Sequence, residues 1–303
     1  MSRPVIAVVG PTGTGKSELA LELCHMLDGE VVNTDALQFY RGMDIGTAKL
    51  PVAERQGIEH HLLDIMDVAE EASVAVFQEQ ARDAIAQIQA RGKTAVLVGG
   101  SGLYVRAVLD EIEFPPTDPQ VRAEIEEWAA GRTIEEVRES LRDVDPESAA
   151  KINDLRRMIR ALEVHRISGR TFTSYMPQRI YHQPTFQVGL DLDPAILNEA
   201  LLRRVHRMYH AGLLDEVRGL IPRGLREGRT ASAAIGYKQA LAVLDGEMSQ
   251  DEAIESTHIA TRQFAKRQRT WFRADPRVTH YDAGAGTREV ARAFVAEAFP
   301  DAR

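Results

Sequence analysis

Residues 10–17 read Gly10-Pro11-Thr12-Gly13-Thr14-Gly15-Lys16-Ser17, a full match to G-x-x-x-x-G-K-[ST]. The segment before it, Val5 to Val9, is short, apolar and rich in β-branched residues, the pattern of a strand buried on both faces. After it, Leu19, Leu23, Met26 and Leu27 recur at helical spacing. A strand, this loop and a helix in that order constrain the chain to an α/β fold, a P-loop NTPase-like parallel sheet with helices on both faces. The glycines let the backbone curl so that successive amides converge on phosphate oxygens, and the following helix adds its positive end. Lys16 supplies a mobile cation, and the Ser17 hydroxyl is placed to ligate Mg²⁺. All eight residues are candidate phosphate ligands.

Further strands are expected at Val31-Val32 and Ala95 to Val98, with a helix carrying Val74, Phe77, Ala81, Ala84, Ile85 and Ile88 and ending at Arg91-Gly92. Segments 10–17, 33–35 and 99–102 then lie at the carboxyl ends of strands, where ligands bind in such sheets. From about Pro115 the pattern is helical only: Asp118 to Ala130, Thr133 to Leu141 with Thr133 and Glu136 as a capping box, and Asn153 to Ser168 with Gly169 as C-cap. A polar stretch to Pro184 leads into a strand at Phe186 to Leu192. The division is therefore a P-loop core, 1–112 and 186–303, with a small all-helical insertion domain at 113–185. The remainder reads as helical, with a long element from Asp251 towards Arg273.

Of 303 residues 27% are charged, with a formal net charge of −8, which argues against a uniformly nucleic-acid-coating surface. The charge is unevenly spread. Asp110 to Glu147 carries 13 acids against 4 arginines, whereas Arg156, Arg157, Arg160, Arg166 and Arg170 face only Glu163. Ser256 to Ala274 holds Arg262, Lys266, Arg267, Arg269 and Arg273 with no acid. No apolar stretch is long enough to span a bilayer. The N-terminus runs straight into the first strand, leaving no room for a signal peptide. Cys24 is the only cysteine, so no internal disulfide is possible, a cytoplasmic location is expected, and the thiol reads as a small core residue. Adjacent His60 and His61 point to opposite faces of a strand and no Cys/Glu cluster accompanies them in the sequence, which argues against a metal site. No heptad or exposed edge demands a dimer, so a monomer is the default.

The strand at Ala95 to Val98 ends in Gly99-Gly100-Ser101-Gly102, without the carboxylate an ATPase carries there to help hold Mg²⁺. The acid at a nearby strand end is Asp35. It could act as general base on an acceptor nucleophile, cap a helix, or sit in a Mg²⁺ shell. On these residues alone a P-loop small-molecule or nucleoside kinase with Asp35 as base is open, as is a nucleotide-dependent RNA-binding module without catalysis.

The block from Asp35 to Lys49, beside the loop, resembles the tRNA dimethylallyltransferases (tRNA isopentenyl transferases). The likeness recurs at His60 to Asp64, Gly99 to Tyr104, Arg156 to Glu163, Gly212 to Val217, Gly236 to Gln239, and Ala265 to Gln268 with Trp271 to Arg273. The resemblance implies that the loop holds the diphosphate of dimethylallyl diphosphate. It implies transfer of the five-carbon group to N6 of the adenosine 3′-adjacent to the anticodon, in tRNAs reading codons that begin with U. Lys16, the loop amides and Mg²⁺ on Ser17 would stabilise the departing diphosphate, Asp35 would take a hydrogen bond or proton from N6, and Ser101 would orient the diphosphate or the base. The target adenine must leave its stack to reach such a site.

The same resemblance implies contacts to the tRNA anticodon stem-loop at Asp35, Ala36, Leu37 and Gln38, at Arg122, and at Arg156, Arg157, Met158, Ile159 and Arg160. Arg262, Lys266, Arg269 and Arg273 fall at i, i+4, i+7 and i+11, one helical face on which a phosphate backbone could lie. At Ala233 many relatives carry Arg or Gln, so either another cation serves the diphosphate or its affinity is weaker.

Overall fold

The computed structural model describes residues 3–175 and 178–300. Residues 176 and 177, within the polar stretch that leads to Pro184, lie outside the described residues. The strands are β1 (Val5–Val9), β2 (Gly29–Asn33), β3 (His60–His61), β4 (Thr94–Val98), β5 (Thr185–Asp191) and β6 (Val278–Asp282). They form one parallel sheet in the order β3-β2-β4-β1-β5-β6. The helices are α1 (Lys16–Leu27), α2 (Val74–Ala90), α3 (Gly102–Leu109), α4 (Pro119–Ala130), α5 (Ile134–Val144), α6 (Pro146–Lys151), α7 (Leu155–Ser168), α8 (Pro194–His210), α9 (Leu213–Leu220), α10 (Arg229–Ser232), α11 (Tyr237–Leu244), α12 (Gln250–Arg273) and α13 (Thr287–Ala298).

β1 lies inside the sheet, hydrogen-bonded to β4 on one side and β5 on the other, and all five of its residues are buried. That is why it carries an unbroken apolar run rather than an alternating one. Ile6, Val8, Val31, Val96 and Val188 pack against Leu19 and Leu23 of α1 and Val290 and Phe294 of α13. Strand residues of the opposite parity, Val32 and Leu97 among them, are equally buried, and α2 packs on β2 and β4. Each such aliphatic side chain contributes about 2 kcal/mol through removal from water. Helices α8 to α12 close over Tyr40 and Met43, with Val205, Leu213, Val217 and Tyr237 around them.

The chain divides into two compact units, 1–109 with 183–303, and 110–182. The expected insertion, 113–185, differs by three residues at each end because Asp110 pairs with Tyr181 in an antiparallel bridge. The smaller unit is helical: α4, α5, α6 and α7 enclose Ile125, Val137, Leu141, Met158 and Ile159. The Thr133–Glu136 capping box opens α5, and Gly169 closes α7 at φ 69°. α6, with Asp145 as its cap, was not foreseen.

The expectation that everything after the fifth strand is helical is corrected. β6 adds to the sheet beside β5. Only Val278 of its five residues is buried, so an edge strand of this kind offers no apolar run to read.

Candidate active site

The loop 10–17 leaves the carboxyl end of β1 and enters α1, with Gly10, Gly13 and Gly15 all at positive φ. At Gly13 the need for glycine is twofold. Its φ is +85°, and a Cβ there would lie 2.8 Å from Leu201 Cδ2 of α8. Thr14 Oγ1 donates to the Pro11 carbonyl at 2.9 Å, and Lys16 Nζ donates to the same oxygen at 2.7 Å, so the lysine is folded back across the loop. The Thr12 amide donates to Gln268 Oε1 of α12 at 2.9 Å, and Gln268 Nε2 donates to the Gly100 carbonyl at 2.8 Å.

Asp35 follows β2. Its Oδ1 accepts the Leu37 amide at 3.0 Å and caps the 3₁₀ turn Ala36–Phe39. Its own amide donates to Asn33 Oδ1, while Asn33 Nδ2 donates to the carbonyls of Asp35 and Leu62. The backbone at the strand end is therefore held on both sides of the carboxylate. Gln38 in this turn donates to the Thr47 carbonyl at 3.3 Å.

The block after Asp35 owes its shape to two anchors, Lys49, which is buried, and Glu216, which is half-buried. Lys49 Nζ donates to the Tyr40 carbonyl, Asp44 Oδ1 and Asp64 Oδ1 at 2.9, 2.7 and 2.6 Å. The Glu216 carboxylate of α9 accepts the amides of Asp44, Ile45 and Gly46 and, at 2.5 Å, the hydroxyl of Tyr237. Burial and this neighbouring carboxylate push the Tyr237 hydroxyl well above its ordinary value, so it remains a donor.

Lys16, Ser17, Asn33, Asp35, Gln38, Gly99 and Gly100 line one cavity of about 700 Å³ at the carboxyl ends of β1, β2 and β4. Arg204 and Arg207 of α8 complete the wall beside the loop. Arg204 donates to Thr12 Oγ1 at 3.1 Å and to the Thr47 carbonyl at 3.4 Å. Leu21, Leu50 and Leu63 give the same cavity an apolar portion. Burial lowers Lys16 to about 8, with Asp35 opposing and Arg204 reinforcing the shift. Burial raises Asp35 above the usual carboxylate range, against the Leu37 amide, Lys16 and Arg204.

Ser101 precedes α3, its carbonyl accepting the Val105 amide at 2.9 Å, and it is not part of the cavity lining, which takes in Gly99 and Gly100 instead. Ala233 is exposed and likewise outside that lining. The cations that α8 brings to the wall are Arg204 and Arg207, which no motif in the sequence marks. Gln268 also escaped residue-level reading, since only its partners reveal its role.

The expected basic faces are less uniform than their spacing suggests. In α7, Met158 and Ile159 lie in the core of the helical unit, so tRNA contact through these side chains is corrected. Arg160 Nη1 and Arg122 Nη2 lie 2.8 and 2.7 Å from Oε2 of Glu163, a fully buried carboxylate. Arg160 also donates to the carbonyls of Pro115 and Pro116 at 2.8 Å. Arg156 and Arg157 are exposed. On α12, Arg269 and Arg273 converge on Asp191 at 2.9 and 2.6 Å, while Arg262 and Lys266 are exposed. Four unengaged cations on one face are thus reduced to two.

The expectation that no Cys/Glu cluster accompanies His60-His61 is also corrected. Parallel pairing of β2 with β3 places Glu30 Oε2 2.7 Å from His61 Nε2, with Glu59 nearby. Arg91 at 2.5 Å and Lys93 at 3.0 Å already neutralise Glu30, which suits an ion-paired carboxylate better than a metal ligand. Cys24 is buried in the core, and burial pushes its thiol up to about 12, which makes it unreactive.

Residues 38–275 match the family model described as IPP transferase. The tRNA dimethylallyltransferase of Paenarthrobacter aurescens is 62% identical over 277 residues, spanning 91% of this chain and 90% of that protein. That of Kocuria rhizophila is 60% identical over 281 residues, 93% of this chain and 90% of the relative. Among solved structures, the full-length tRNA isopentenylpyrophosphate transferase of Bacillus halodurans superposes with a TM-score of 0.73 at 37% identity, covering 99% of this chain and 97% of that one. A eukaryotic dimethylallyltransferase acting on tRNA gives 0.83 at 28% identity, over 97% of this chain and 78% of the other.

Proposed function

The chain belongs to the IPP transferase family, and from that membership we propose that it moves the dimethylallyl group of dimethylallyl diphosphate onto tRNA, at N6 of the adenosine 3′-adjacent to the anticodon, in tRNAs reading codons that begin with U. The observation that carries the reading is the cavity itself. It sets a phosphate-binding loop, a carboxylate and an apolar wall around a single space.

In the reaction a bond forms between N6 and C1 of the prenyl group while the C1–oxygen bond breaks and diphosphate leaves. The loop amides and Lys16 face the charge that accumulates on the leaving group. Asp35 faces the incoming amine, which loses one proton as the new bond forms. Its raised pKa suits a group that must accept that proton. An aromatic amine is a weak nucleophile, so the capped, doubly anchored strand end matters for holding Asp35 in line as much as for basicity. Among the described residues, the His and carboxylate cluster close enough to hold a metal by itself lies at Glu30, Glu59 and His61, outside this cavity. Of the hydroxyls and carboxylates that line this cavity, the Ser17 hydroxyl, next to Lys16, and Asp35, the carboxylate that is not exposed, stand beside the loop. That is a donor set for Mg²⁺ that enters with a diphosphate and keeps part of its water shell. Such an ion would neutralise diphosphate charge; Ser17 would hold it.

The exposed Arg156 and Arg157 of α7, and Arg262 and Lys266 of α12, serve the tRNA backbone in this reading. Ala36, Leu37 and Gln38 present the turn beside Asp35 to the anticodon loop. Ser101, which precedes α3 and follows the cavity-lining Gly100, takes in this reading the orienting role that the family resemblance gives it. No helix among the described residues is long and apolar enough to cross a membrane, and we place the protein in the cytoplasm, acting as a monomer. The test is purified protein with Mg²⁺, labelled dimethylallyl diphosphate and an unmodified tRNA whose anticodon ends in A, followed by nucleoside analysis. N6-dimethylallyladenosine is expected. Its absence, with phosphate transfer from ATP instead, would sink the reading in favour of a kinase.

A further inference from the structure

We propose that Asn33 is a positioning residue for the transfer step. Its one buried amide sets both the direction of Asp35 and the place of Leu63 in the apolar wall, and so aligns the proton acceptor with the prenyl group. The inference rests on the transferase reading and deepens it.

Three observations carry it. First, the Asn33 amide is buried, at 4% exposure, and engaged at both ends by backbone. Oδ1 accepts the Asp35 amide at 3.0 Å, and Nδ2 donates to the carbonyls of Asp35 and Leu62 at 3.1 and 3.0 Å. Carbonyls only accept and a backbone N–H only donates, so these partners fix which end is oxygen. Asp35 is thus gripped at its amide and its carbonyl, and its side-chain direction is set by a neighbour as well as by the Leu37 cap. Second, the turn that Nδ2 reaches is strained. Leu62 has φ 61° and Asp64 φ 56°, the left-handed region that a leucine rarely adopts. Such a turn persists where its surroundings hold it. Here Asn33 holds the Leu62 carbonyl, and the Asp64 amide donates to the Gln38 carbonyl at 3.2 Å. Third, the residue between these two is Leu63, which lines the cavity together with Asn33 and Asp35. The strained turn therefore delivers a side chain to the apolar wall, and the amide that steadies it also steadies the base. A serine in place of Asn33 could accept the Asp35 amide in a local turn. With one hydroxyl proton it could not donate to two carbonyls.

The test compares the wild type with Asn33→Ala and Asn33→Ser in two measurements. One is steady-state transfer to unmodified tRNA, with tRNA binding on the same preparations. The other is calorimetric titration, with Mg²⁺, of inorganic diphosphate and of the unreactive thiolo analogue of dimethylallyl diphosphate, in which sulfur replaces the bridging oxygen. The ratio of the two affinities is the gain from the prenyl group. Asn33→Ala should lower kcat at least about tenfold, because a small misplacement of reacting groups is costly. It should also cut the prenyl gain several-fold, while tRNA and inorganic diphosphate affinities stay close to wild type. Asn33→Ser should recover most of kcat but not the prenyl gain. Should the alanine variant not fold, the serine variant decides the question through a lost prenyl gain at retained kcat. An unchanged prenyl gain in either folded variant overturns the proposal, as does wild-type kcat in Asn33→Ala. A uniform loss of kcat, tRNA binding and diphosphate binding also overturns it, since Asn33 would then be scaffold. A wild type whose prenyl gain falls in the variants, yet which makes no dimethylallyl-tRNA, overturns the transferase reading alone.

Discussion

Gln268 joins two strand ends through one side chain, accepting the Thr12 amide at 2.9 Å and donating to the Gly100 carbonyl at 2.8 Å. It is 6% exposed, so water cannot replace it. Gln268→Ala leaves a buried donor and a buried acceptor unmatched, at a cost of about 2 kcal/mol. Thermal unfolding should show that loss, and KM for dimethylallyl diphosphate should rise, because a loop amide is no longer held in place. An unchanged KM would confine Gln268 to stability.

Asp35 both caps a turn and faces the cavity, and Asn separates the two roles. An asparagine oxygen still accepts the Leu37 amide, so the turn survives. Asp35→Asn should therefore bind tRNA like the wild type while turnover falls by ~10²-fold or more. Equal loss of binding and turnover would make Asp35 a structural residue.

The pH dependence has a definite sign on both limbs. Burial holds Lys16 near 8, so diphosphate affinity of the free protein should fall as pH rises through about 8 and the ammonium loses its proton. On the acid limb turnover should fall above the usual carboxylate range, since Asp35 is raised. For stability, the unfolded chain holds the Lys16 proton up to its ordinary 10.5 while the folded chain releases it near 8, so stability gained from this group increases with pH between those values. Lys16→Met should abolish that increase and diphosphate binding together. Denaturation midpoints and competition by diphosphate across pH 6–10 (a range of about four units around the lysine value) check both.

Neighbouring arginines of α7 should behave differently. Arg157→Ala should raise KM for tRNA and flatten its salt dependence by about one counterion, with stability unchanged. Arg160→Ala leaves buried Glu163 short of a partner and should destabilise by about 3 kcal/mol. Glu163 is held below the usual carboxylate range, its burial outweighed by Arg160, the Asp118 amide and Arg122. The stability it contributes is present above the ordinary value of 4.5 and is lost as pH falls through the lower folded one. Unchanged tRNA kinetics in Arg157→Ala would remove that residue from the interface.

The loop, the inner strands and the helix caps were legible because each is written in contiguous residues whose local chemistry admits one conformation. Gly10 to Ser17 and Thr133 with Glu136 are of this kind. Arg204 and Gln268 are not: each is an ordinary polar residue on an amphipathic helix until packing brings that helix back to the loop. The same reason hides the pairing of Arg269 and Arg273 with Asp191, since the acid lies in β5 and the arginines in α12. The edge strand β6 escaped because only Val278 faces a core.

Gly13 touches Leu201, and Leu201 and Arg204 are neighbours on one face of α8. The two sides of the cavity therefore bear on a common fulcrum. A single methyl added at position 13 would press on Leu201 of α8. Drift in the loop is thereby coupled to drift in a helix nearly two hundred residues later, and Gly13→Ala should weaken diphosphate binding through α8 as well as through the loop.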